Sequence, residues 1–120
     1  MSTIKGFTSL EQSKVLAKIL PIESADMYFE PSAGFCIEPS EIKVGDIKYA
    51  HPRSVPCWSL SSLLNVLPFP YLSKDKLGSG RIGWMVSAYP DNCRYDSCWH
   101  DNPIDTCYEM IVKLHEQKLL

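Results

Sequence analysis

Residues able to do chemistry concentrate in the last third of the chain. Cys93, Cys98 and His100 lie close together, with Cys107 and His115 further along. Zinc holds each ligand atom at roughly 2.0–2.3 Å, so its donors must converge on one point. On a single strand running from 93 to 100, Cys93 and Cys98 point to opposite faces about 16 Å apart. Cys98 and His100 share a face, but two ligands make no site. No metal is therefore expected. Cys107 and His115 are separated by roughly 12 Å of helical rise. A thiol on the buried stripe of a helix is also inert. No catalytic residue emerges from this set.

Gly78-Ser79-Gly80-Arg81-Ile82-Gly83 matches the glycine fingerprint of dinucleotide sites. That fingerprint works only where a helix starts within it and points its N-terminus at the pyrophosphate. Trp84 to Tyr89 reads as a strand instead, so no cofactor is expected. Glu38 with Glu41 and Asp91 with Asp96 fall in turns, and the acidic residues at the start of the last helix answer its dipole. The aromatic residues are the remaining resource. Most of them fill the core of a domain this small, while a few mark a contact surface. The candidate binding residues are Trp58, Trp99, His100 and Asp101, which could rim a pocket between a sheet and the second helix.

Three helices position these groups. The first spans about 9–20, where Thr8 and Glu11 form a capping box, Leu16, Ile19 and Leu20 mark the buried face, and Pro21 is the stop. The second runs near 58–67, with Leu60, Leu63, Leu64 and Leu67 at helical spacing. The third runs from Pro103 to about Lys118, capped by Asn102, with Ile104, Cys107, Tyr108, Ile111 and Leu114 on one stripe. Strands are expected at 26–29 and 35–37 around Pro31-Ser32-Ala33-Gly34, and at 82–89 and 93–100 around Pro90-Asp91-Asn92. A short edge strand at 47–49 is a further candidate, and 71–81 reads as a loop. The pattern predicts a single α+β domain over 1–120: an antiparallel sheet of two hairpins with three helices packed mainly on one face.

Composition narrows the partners. The 120 residues carry 12 basic and 14 acidic side chains, for a net charge of -2. Each half holds six basic and seven acidic residues, so there is no basic stripe to displace phosphate counterions, and no nucleic acid is expected. No apolar run reaches bilayer length, and Met1 to Phe7 does not read as a signal peptide. Five cysteines, an odd number, fit reduced thiols, and the expected location is the cytoplasm.

Three stretches, EQSKVLAKILPIESADMYFEP (11–31), PCWSLSSLLNVLP (56–68) and NPIDTCYEMIVKLHEQKLL (102–120), resemble a group of short proteins of Bacteroides-type gut bacteria, often within mobile or phage-derived elements. The resemblance covers about half the chain and implies a cytosolic accessory protein. It carries no activity, cofactor or site residue. The sequence points to a small protein-interaction module, self-associating as a homodimer or binding another protein. The alternative is a small enzyme or small-molecule binder with a pocket near Trp58, His100 and Asp101.

Overall fold

The computed structural model describes residues 6–31, 39–45 and 54–120. The described residues form an α+β fold with three α-helices and two three-stranded antiparallel sheets. Among the described residues the chain divides into two compact units, Phe7–Ser62 and a second that joins Gly6 to Leu63–Leu120.

The first unit begins with α1, Leu10–Ile19. Its cap is Ser9 rather than Thr8: the Ser9 hydroxyl accepts the Gln12 N–H at 3.2 Å, and the Gln12 side chain accepts the Ser9 N–H at 3.0 Å. The reciprocal motif is the expected one, shifted by a residue. Thr8 is drawn inward instead. Its N–H reaches the Trp58 carbonyl at 3.0 Å, and its hydroxyl accepts the Trp58 N–H at 3.2 Å and lies 2.7 Å from the Ser13 hydroxyl. A buried threonine so fully bonded is structural, because each polar atom has replaced its lost water.

A 3-10 turn, Ile22–Ser24, leads to β1, Met27–Pro31, the centre of a sheet ordered β2-β1-β3, with β2 at Pro39–Val44 and β3 at Val55–Cys57. Met27 pairs with Val44 on one side and with Cys57 on the other. Phe7 and Phe29 meet edge to face with ring centroids 6.2 Å apart. Leu16, Leu20, Ala25, Cys57 and Trp58 form the core. The hairpin turn expected at 31–34, the strand at 35–37 and the edge strand at 47–49 fall wholly or mostly outside the described residues.

The division between the units falls within α2, Leu60–Val66, shorter than the expected 58–67. Beyond it lies a sheet ordered β4-β5-β6: β4 at Tyr71–Lys76, β5 at Ile82–Ala88 and β6 at Tyr95–Asp96. The stretch read as a loop, 71–81, is mostly strand. Among the described residues it is an edge strand, a position its charged residues suit. Only 77–81 turns: Leu77 donates its N–H to the Arg81 carbonyl at 2.7 Å and Gly80 to Leu77 at 2.8 Å. Gly80 takes φ +85, which glycine alone adopts without strain. The strand expected over 93–100 shortens to two residues. The Ser97 hydroxyl accepts the Val86 N–H at 3.0 Å, and three residues of β5 then span four of its partner before Trp84 and His100 pair again. That extra residue is a bulge.

α3, Pro103–Glu116, closes the unit and packs on β5. The Asn102 side chain accepts the Asp105 N–H at 2.9 Å, with Pro103 entering the first turn as expected. Ile104, Cys107, Met110, Ile111 and Leu114 are fully buried, joined by Leu63, Val86 and Ala88.

Candidate functional site

The candidate residues fall in different surroundings. Trp58, in the first unit, is fully buried. Its indole N–H donates to the Ser24 hydroxyl at 2.9 Å, and that hydroxyl donates onward to the Pro21 carbonyl at 2.6 Å. A tryptophan bonded in this way fills space and holds the 3-10 turn. Trp99, His100 and Asp101 belong to the second unit, on the segment joining β6 to α3.

His100 is fixed by its backbone: it gives its N–H to Trp84 at 2.9 Å and takes the Trp84 N–H at 2.6 Å. Its Nε2 is buried and lies 3.4 Å from a Glu109 oxygen, an ion-pair distance without hydrogen-bond direction. The other Glu109 oxygen accepts the Cys98 N–H at 2.8 Å. Burial raises the Glu109 carboxyl, but the Cys98 N–H and the His100 ring outweigh it and hold the group below its ordinary value. This arrangement ties α3 to the preceding segment. Asp101 is exposed. Trp99 is 40% exposed and lies over Gly83. A Cβ at Gly83 would stand 2.9 Å from Leu77 Cδ1 and 3.0 Å from Trp99 Cε3. The last glycine of the apparent fingerprint therefore makes room for an aromatic ring, and the residues after it form β5.

Among the described residues, no three of His, Cys, Asp and Glu stand together so as to hold a metal ion. No helix among them is long and apolar enough to cross a membrane. Burial raises the Cys57 thiol, and it pushes Cys107 up to about 12.

A different surface collects large apolar side chains, and sequence reasoning missed it. Phe69 is 79% exposed and Tyr71 is 71% exposed. Both lie in Pro68-Phe69-Pro70-Tyr71, between α2 and β4. Phe69 has φ +50, a conformation that L-residues with bulky side chains avoid. Tyr89 donates its N–H to the Pro68 carbonyl at 2.9 Å, holding the base of the segment. The prolines limit its backbone further, since each fixes its own φ and restricts the residue before it. The available signal was the Pro-Phe-Pro run itself. It marks a helix stop, and the phenylalanine between its prolines is the ring the structure leaves exposed. No family model, curated protein or solved structure matches the chain.

Proposed function

We propose that the chain is a small protein-binding module that acts by contact rather than by chemistry, through the segment Pro68 to Lys76. The exposed pair Phe69 and Tyr71 supports this reading. Aromatic rings dominate binding hot spots because they bury much area while losing little side-chain entropy. Leaving two in water on a restrained backbone is unfavourable unless a partner covers them. Backbone strain held in place by its surroundings points the same way. The partner is another protein or a second copy of the chain, and the cytoplasm is the proposed setting.

The test is a comparison of retained proteins. Wild-type protein and the double variant Phe69→Ser, Tyr71→Ser are immobilised, and lysate of the source organism is passed over each. Both substitutions lie at exposed positions, so circular dichroism should be unchanged. A species held in stoichiometric amount by the wild type and lost with the variant supports the reading. Identical retention on both columns removes it.

A further inference from the structure

Partner chemistry can be narrowed from β4, on the reading that 68–76 is a contact surface. Among the described residues β4 pairs with β5 alone. Leu77 continues its register, giving its N–H to Arg81. On the far side of β5, Trp84 exchanges both backbone bonds with His100. Backbone groups of an antiparallel strand alternate between its two sides. Tyr71, Ser73 and Asp75 therefore bond to β5, and Leu72, Lys74 and Lys76 turn N–H and C=O outward. The Lys76 N–H agrees with this parity, since the Asp75 carboxylate takes it at 2.8 Å. The outward N–H groups of Leu72 and Lys74 and the three carbonyls form a short edge beside Phe69 and Tyr71.

We propose that this edge accepts an extended segment of a partner protein as an added antiparallel strand, with an acidic residue opposite Lys74 and an apolar residue opposite Leu72. Strand addition uses main-chain bonds for affinity and alternate side chains for selectivity. Two of the three outward positions are lysines, and both are exposed. The Lys74 ammonium lies 5.1 Å from the centre of the Trp84 ring, on the same sheet. Asp75, the one carboxylate within the strand, is turned onto the Lys76 N–H. A carboxylate opposite Lys74 is thus attracted, and a basic residue there is repelled.

A second copy suits the edge poorly. A symmetric antiparallel pair places one residue opposite itself. Centred on Lys74, Asp75 or Lys76, that register sets like charges against each other. Centred on Leu72 or Ser73, it brings Pro70, which has no N–H, into the ladder. Lysines on an edge strand are a common bar to self-pairing.

The test titrates the full chain with an acetylated synthetic peptide of sequence glutamate-valine-glutamate-valine-leucine, followed calorimetrically and by amide NMR shifts. Saturable binding with shifts centred on Leu72 and Lys74 is expected. Methylating the amide nitrogen of the second glutamate should abolish it. The Lys74→Glu variant should weaken it several-fold and bind instead the peptide with lysines in place of glutamates. Leu72→Pro removes an outward N–H together with the leucine side chain but no backbone bond to β5, so the sheet should persist while binding is lost. Absence of saturable binding, or equal binding of the methylated peptide, overturns the proposal. So does a dimer in sedimentation that Leu72→Pro breaks, which would make a second copy the occupant. Loss of a retained protein with the Phe69, Tyr71 variant, alongside a failed peptide titration, would leave the contact surface standing and reject the strand.

Discussion

Single side chains here are specified by what closes over them. Gly83 shows this most sharply, because Leu77 and Trp99 occupy the volume a Cβ would need. Gly83→Ala should lower the melting temperature by the equivalent of about 1–3 kcal/mol, as overpacking does. An unchanged melt would mean that the Trp99 ring moves freely aside. Asp26 gives a pH test. Burial raises its carboxyl, but the Ser59 hydroxyl and the Ser59 N–H, the latter at 3.0 Å, outweigh burial and hold it below its ordinary value. A lowered folded-state value contributes stability above the ordinary carboxylate range, and that contribution is lost as pH falls through the lowered value. Thermal melts of Asp26→Ala should therefore lie below wild type at neutral pH and converge with it in acid. A constant gap at all pH values would assign the loss to packing. Sequence type alone hid both roles. Gly83 matches a phosphate-loop fingerprint that the strand read after it already rules out, and its actual role depends on Leu77 and Trp99 closing over it.

Elements were legible wherever local signals sufficed. α3 has its cap, its first-turn proline and its buried stripe within one continuous stretch, so the expected and observed starts coincide at Pro103. Asn102→Ala should cost about 1 kcal/mol through the lost cap, read as a fall in the denaturation midpoint at unchanged slope. β4 was not legible. Its alternation of Tyr71, Leu72, Ser73 and Lys74 carries little apolar contrast, and its strand character comes from the ladder with β5. Proline scanning tests the assigned parity. Ser73→Pro removes an N–H that bonds to β5 and should destabilise by about 1–3 kcal/mol, while Leu72→Pro should change stability far less. The reverse order would place the open edge on the odd-numbered residues.

Across the whole molecule, burial sorts groups that composition treats alike. Cys93 and Cys98 are exposed, and Cys57 and Cys107 are buried. Alkylation of the native protein with iodoacetamide, followed by peptide mass mapping, should modify the first pair rapidly and the second only after denaturant is added. Rapid native labelling of Cys107 would mean that the α3 core opens readily. The sequence by itself determined the α+β class, the position of the three helices and the punctuation between segments. These follow from periodicity, capping chemistry and proline stereochemistry, all of which act within a few residues. The tertiary structure alone decided that Trp58 is interior while Phe69 and Tyr71 face solvent, that 71–76 joins a sheet, and which backbone groups of β4 point away from β5. Each depends on a partner distant in sequence (Ser24 for Trp58, Tyr89 for the Pro68 carbonyl, β5 for β4), and no local pattern encodes which distant group will arrive.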